Sequence, residues 1–131
     1  MDVVHGGLYL YEPPQVPKSG EDVRFVASGQ EQLGLRPYII MSRDLIQKGK
    51  TTAVAVPFTT KVHKANSYRI ALPAGEFIKD FDATWDFADS VALCDNVRVI
   101  DTTRIIKRIG RLSDNGIFAV QLGLTFVFGI R

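Results

Sequence analysis

Arg36 is the side chain in this sequence whose surroundings most call for a chemical explanation. It lies in the run EQLGLRPYIIMSRD, Glu31 to Asp44, between a glycine and a proline and directly before an apolar stretch. Gly34 allows a backbone turn, while Pro37 fixes its own φ and pushes Arg36 toward an extended conformation. Structure alone explains a polar loop running into a strand, but it does not require an arginine there. An arginine held at the mouth of a loop suits a phosphate, because its fork of donors binds such oxygens bidentately. Glu31 and Gln32 are close by in sequence. A second polar group follows in PFTTKVHK, Pro57 to Lys64, where Thr59 and Thr60 precede Lys61, His63 and Lys64. Two hydroxyls beside cations at a strand end can grip phosphate and sugar oxygens, and they serve equally as ordinary turn residues. Spacing alone leaves both readings open.

Other chemistries fit poorly. The two histidines, His5 and His63, are far apart, and Cys94 is the single cysteine, so a zinc site of Cys and His is not expected. No Gly-rich loop carries a following lysine for nucleotide phosphates, and no serine sits in a nucleophile elbow. Cys94, in an apolar strand, reads as a small core residue. No disulfide can form within the chain, and no apolar run approaches the roughly 18 residues that span a bilayer. MDVVHGGLYLYEPP lacks the basic start and apolar centre of a secretory signal. These features lead to the expectation of a cytoplasmic protein with no membrane partner. The formal net charge is only +2, but it is unevenly spread. Arg24 to Arg69 hold eight Lys or Arg against Glu31 and Asp44, whereas Glu76 to Asp89 hold five acids and one lysine. A basic stretch of that size is either a footprint for a polyanion or a solvated surface.

The elements that must position these groups are mostly strands. A chain of 131 residues suits one domain, residues 1–131. Strands are expected at Leu8 to Tyr11, Tyr38 to Ser42, Thr52 to Pro57 and Tyr68 to Leu72, with one or two more in Ser90 to Ile100 around a break at Asp95-Asn96. The small apolar run TAVAVP suits a strand buried on both faces. Short helices are expected at Arg43 to Gln47 and Thr102 to Lys107. Ser113 is a suitable N-cap for a C-terminal helix whose stripe is Ile117, Val120, Gln121, Leu124 and Phe128, with TFVFGI either helical or extended. Several short strands between turn signals suggest a small barrel or sandwich.

With these segments in place, the chain resembles the MazF/PemK family of toxins of type II toxin–antitoxin systems. GGLYLYEP is similar to the family's opening strand, and GQEQLGLRPYIIMS matches its Gly-x-Glu-Gln-x-Gly-x-Arg-Pro motif. VAVPFTTK matches its Val-x-Pro-x-Thr-Ser/Thr segment, and SVALCDNVRVID with GRLS matches its late strand and the lead into the last helix. Gly7 stands where many members have aspartate, and Asn96 where many have glutamine. The resemblance implies a mainly β fold, an SH3-like barrel of the CcdB/PemK type with short helices and a C-terminal α-helix. It implies a homodimer that cuts single-stranded RNA, usually mRNA, at a short sequence without metal or cofactor. It places the catalytic arginine on Arg36, the catalytic threonine on Thr59 and the motif's acid on Glu31, and sets the loop Gly29, Gln30, Glu31, Gln32 at the edge of the RNA groove. The partner implied is an antitoxin with an acidic, disordered tail that competes with RNA.

Metal-free cleavage of RNA requires its own 2′-hydroxyl to attack the adjacent phosphorus. Arg36 suits the charge that develops there, Thr59 suits positioning, and Glu31 is the more comfortable general base by pKa. Thr60, Lys61, His63 and Lys64 are expected to contact RNA. Unpaired bases are read by stacking, and Tyr11, Phe25, Phe58, Trp85 and Phe87 are candidates, Trp85 foremost because its surroundings are polar. The acidic, aromatic segment Glu76 to Asp89 is expected to pack in part on the barrel or the dimer mate. Trimming it to a short turn is expected to alter the cut sequence and preserve cleavage. Two competing readings keep the same barrel: a DNA-gyrase poison acting by protein binding alone, and a non-catalytic SH3-like binding module.

Overall fold

The computed structural model describes residues 2–12 and 35–130. Gly29, Gln30, Glu31 and Gln32, together with Phe25, lie outside the described residues. The element order is β1 (Gly7–Tyr11), β2 (Arg36–Ile40), α1 (Asp44–Gln47), β3 (Thr52–Thr59), β4 (Arg69–Leu72), β5 (Phe77–Lys79), β6 (Ser90–Leu93), β7 (Arg98–Asp101), β8 (Ile105–Leu112) and α2 (Asp114–Phe128). The strands join side by side in the order β4-β6-β3-β2-β1-β8-β5, with β7 paired to β3, and every pairing is antiparallel.

β3 organises the sheet because it changes neighbours partway along. Thr52 to Ala55 pair with β7, and Phe58 and Thr59 pair with β6. Pro57 falls between these two ladders and faces Tyr38 of β2 on its other side. A proline has no N–H to give to a ladder, so the change of partner is a position that tolerates one. Thr52 and Val54 are exposed on this strand, and both faces are buried only from Ala55 to Phe58. Burial on both faces holds over the whole of β1, all five residues of which are buried.

Alternation along β1 and β2 divides the core in two. Leu8, Leu10, Ile39, Met41, Val56 and Phe58 point into a cluster that Val120 of α2 completes. Tyr9, Tyr11, Tyr38, Ile40, Ala53, Ala55, Ile100 and Ile105 form a second cluster on the opposite face.

α2 begins and ends where its caps dictate. The Ser113 hydroxyl oxygen accepts from the Gly116 N–H at 3.0 Å, and its own hydrogen goes to the Glu76 carboxylate. At the other end Gly129, at φ 73°, closes the helix with its N–H on Phe126 and the Ile130 N–H on the Thr125 carbonyl. TFVFGI is therefore helical as far as Phe128. The inward stripe is Ile117, Val120, Leu124 and Val127, whereas Gln121 and Phe128, expected on it, are exposed. A Cβ on Gly123 would lie 2.6 Å from the Cys94 sulfur and 2.6 Å from Ile70 Cγ1, so glycine lets the helix approach β4 closely.

A further expectation needs correction. Thr102 to Lys107 is not a helix: the Asp101 carboxylate accepts from the Thr103 N–H at 2.9 Å and its hydroxyl at 2.7 Å, capping a single 3₁₀ turn. The chain then extends as β8, the strand that joins β1 to β5. Glu76 to Asp89 packs in part on the barrel, as expected, and cutting it to a short turn would take β5 away. It contains β5, the Phe77 ring is buried against Phe58 at 5.2 Å, and Phe87 stacks on Phe77 at 4.8 Å and 2°.

Candidate active site

Arg36 is the first residue of β2, half-buried, and pairs with Tyr11 of β1. Thr59 is the last residue of β3 and pairs with Val91 of β6. Between β2 and β3, Tyr38 faces Pro57, Ile39 faces Val56 and Ile40 faces Ala55. The same register continued by two residues sets Arg36 opposite Thr59. Strand alternation turns both side chains to the face of Tyr9, Tyr11 and Tyr38. Continued in this way, one row across the sheet would run Tyr11, Arg36, Thr59, Val91, with the arginine and the threonine at the same end of the β2–β3 pair.

The turn after β3 extends this edge. The Thr59 hydroxyl oxygen accepts from the Lys61 N–H at 3.3 Å, and a hydroxyl so engaged still has its own hydrogen to donate. Thr60 and Lys61 are exposed, as is His63 on the 3₁₀ turn Val62–Lys64, and Lys64 is half-buried. Thr60, Lys61, His63 and Lys64 thus form a polar, cationic ledge next to Thr59. Glu31 and the loop Gly29 to Gln32 are not placed among these groups, since they lie outside the described residues.

Arg98, also beside this edge, carried no distinct signal in the sequence. The Arg98 guanidinium stands over the Tyr38 ring, 6.0 Å from its centroid, on the face shared by Arg36 and Thr59. Its place in the turn Asn96-Val97-Arg98 is visible in the sequence, but its position over a β2 tyrosine depends on β7 pairing with β3. A cleft also wraps the ends of β2 and β3, lined by Pro37, Phe58, Thr59, Thr60, Trp85 and Asp86 and closed by Phe87, Ala88 and Ser90. Thr59 belongs both to this cleft and to the row that contains Arg36. A roomier cleft of about 350 Å³ lies at the other end of β3, around Thr52, Lys48 and Lys50, and contains none of these groups.

Cys94 is fully buried, with its thiol 3.7 Å from the Val120 carbonyl oxygen, and burial pushes its pKa up to about 11. A thiol so protonated is no nucleophile near neutral pH, consistent with a core role.

What this arrangement can do chemically is bind and polarise a phosphodiester. A guanidinium beside a hydroxyl supplies directed donors to phosphate oxygens.

The comparisons agree with the fold. A curated relative, the Endoribonuclease MazF of Staphylococcus saprophyticus, is 28% identical over 103 residues, covering 79% of this chain and 81% of its own. A solved MazE–MazF structure from Deinococcus radiodurans superposes with a TM-score of 0.67 at 16% identity, covering 100% of this chain and 99% of that one. The Mycobacterium tuberculosis toxin MazF-mt6 superposes at 0.65 with 16% identity, covering 95% and 98%. At such identities the structural likeness speaks for the barrel alone. The description of PemK-like, MazF-like toxins of type II toxin–antitoxin systems matches residues 22–128, more than half of the chain, and this protein belongs to that family.

Proposed function

We propose that this protein is a sequence-specific endoribonuclease that cuts single-stranded RNA without a metal ion, as the toxin of a toxin–antitoxin pair. The observation that carries the reading is the Tyr38–Pro57 pair, beyond which Arg36 and Thr59 each lie two residues further on, at the same end of β2 and β3. The endoribonuclease name of the staphylococcal relative supports it.

In the proposed reaction the ribose 2′-oxygen attacks the adjacent phosphorus and the P–O5′ bond breaks. The products are a 2′,3′-cyclic phosphate and a 5′-hydroxyl. Arg36 donates to the phosphate oxygens as negative charge builds on them, the step at which fixed donors contribute most. Thr59 holds the phosphate by hydrogen bonding, and Lys61, His63 and Lys64 carry the flanking backbone. Glu31 takes the proton of the 2′-hydroxyl, because a carboxylate accepts a proton far more readily than a guanidinium releases one, and the departing 5′-oxygen takes its proton from solvent water. The working form is a homodimer, restrained in the cytoplasm by an antitoxin whose acidic, disordered tail competes with RNA for the basic edge. Such a tail would order on binding. Solved relatives include a mycobacterial endoribonuclease in complex with its cognate antitoxin. Among the described residues no helix is long and apolar enough to cross a membrane.

The test is incubation of the pure protein with a long unstructured RNA in EDTA, followed by end-group analysis. Fragments with 5′-hydroxyl and cyclic-phosphate ends are expected. Intact RNA, together with gyrase trapped on DNA in cells that express the protein, would replace this reading by the poison.

A further inference from the structure

We propose that Trp85 and Asp86 form a subsite for one unpaired base, selecting a base that bears an exocyclic amine. The proposal rests on the reading of the protein as an RNA-cutting enzyme and names a residue that sets its sequence preference.

The aromatic residues near this edge are sorted by their packing. Phe58, Phe77 and Phe87 are consumed in one stack, and Phe77 and Phe87 lie face to face, so neither offers that face to a ligand. Phe81 is 99% exposed and does not line the cleft. Trp85 is half-buried and lines the cleft together with Thr59 and Thr60. It is the sole tryptophan of the chain. An indole that packs on the core yet stays half-exposed at a cleft rim can serve as a stacking platform for any base.

Selection then falls to Asp86, next in sequence and lining the same cleft. Its carboxylate is 95% exposed and, among the described residues, pairs loosely with Lys79 Nζ at 3.9 Å. So loose an exposed pair leaves the oxygens accessible. An ionised carboxylate only accepts hydrogen bonds, so a base held here must donate. Guanine offers two adjacent donors, N1–H and N2–H, and adenine and cytosine each offer an amine. Uracil presents an imide N–H flanked by two carbonyl oxygens, which the carboxylate repels.

The segment is anchored well enough to hold this geometry. The Asp80 N–H donates to the Ile109 carbonyl at 3.1 Å, and Arg108 lies 3.3 Å from the Asp80 carboxylate. At the far end the Asp89 carboxylate accepts from the Ala74 N–H at 2.9 Å. The charge pattern fits as well: the phosphate backbone follows Lys61 and Lys64 while the acid meets only a base edge.

The test uses the single tryptophan as its reporter. Short 2′-O-methyl oligonucleotides, which cannot be cut, are prepared with guanine, adenine, cytosine or uracil at one position in an otherwise constant sequence. Binding is followed by anisotropy of a label and by Trp85 emission, and cut sites on a long RNA are mapped for wild type and Asp86→Asn. Amino-bearing bases are expected to quench Trp85 and to bind roughly 10- to 100-fold more tightly than uracil, a preference that Asp86→Asn abolishes. Sites with an amino base at one fixed position should lose cutting in the variant by a similar factor. Saturated binding with unchanged Trp85 emission, or identical preferences in wild type and Asp86→Asn, overturns the subsite even where RNA is cut. Selective quenching in a protein that cuts no RNA supports the subsite and removes the nuclease reading instead.

Discussion

Tyr38 faces Pro57 across the β2–β3 pair, two residues inward of Arg36 on one strand and of Thr59 on the other. The β2–β3 ladder thus ties together two motifs separated by more than twenty residues. Arg36→Ala should therefore remove a donor from the phosphate site with the strand left in place. Its side chain is only half-buried at the first position of β2, so the fold should survive. The expected loss is roughly 10²- to 10³-fold in cleavage rate, the usual cost of one well-placed donor to developing charge. Circular dichroism with a cleavage assay decides it, and near-normal cutting by a folded variant would remove Arg36 from the mechanism.

Thr59→Ala should impair cleavage more than Thr60→Ala. Thr59 ends β3 and pairs with Val91, at the same end of the sheet as Arg36, while Thr60 lies past the strand and is exposed. Because the Thr59 hydroxyl also accepts from Lys61, alanine loosens the cationic turn as well. Thr59→Ser separates the two effects: it keeps the hydroxyl and should retain most activity, and a serine variant as slow as the alanine one would argue for a packing role.

The site was legible in the sequence as two motifs, and its register was not. Arg36-Pro37 and Thr59-Thr60 stand out by residue type, but only the β2–β3 ladder says which threonine meets the arginine. Thr52 to Pro57 and the Ser113 cap were legible for local reasons, small apolar residues in one case and a side-chain acceptor in the other. β8 was hidden because its pairing with β1 shifts register between Leu8 and Tyr9 and again between Leu10 and Tyr11. Those shifts break the alternation that marks a strand, so Thr102 to Lys107 read as a helix. β5, with three residues, is too short to show any period, and without it the role of Asp86 beside the cleft could not be read.

Gly110→Ala should destabilise the protein by about 1–3 kcal/mol, an overpacking cost. A Cβ there would run into the Ile78 carbonyl oxygen and lie 3.2 Å from Lys79 Cα, and backbone of a paired strand cannot turn aside. Denaturant unfolding measures the loss. An unchanged midpoint would mean that β5 moves freely, which would also undercut the anchoring of Trp85.

The ion pair between Arg69 and Asp95 should make stability fall in acid. Two bonds, of 3.0 and 2.9 Å, hold the Asp95 carboxyl below the ordinary carboxylate range. A group with a lowered folded-state pKa stabilises fully above its unfolded value, near pH 4, and loses that contribution as pH falls through the folded one. The pair is partly solvated, so about 0.5–1 kcal/mol is expected. Asp95→Asn should flatten this part of the acid limb in pH-dependent unfolding, and a variant that tracks wild type from pH 6 to 2 would assign the loss to other carboxylates.

Phe87 and Phe81 should answer the same substitution very differently, although both lie in the acidic segment. Phe87 stacks on Phe77 at 4.8 Å, and that ring in turn packs on Phe58 of β3. Phe87→Ala is expected to cost about 2 kcal/mol, short of the 3–5 typical of a fully enclosed phenylalanine because Phe87 is only half-buried. Phe81 is 99% exposed, so Phe81→Ala should stay within about 0.5 kcal/mol of wild type. Urea unfolding of both variants gives the comparison directly. Loss of the Phe87 ring should also free Trp85 to move, broadening its emission and weakening base discrimination at the neighbouring cleft. Equal, small effects from the two substitutions would mean that the segment rests on the barrel without the aromatic stack holding it.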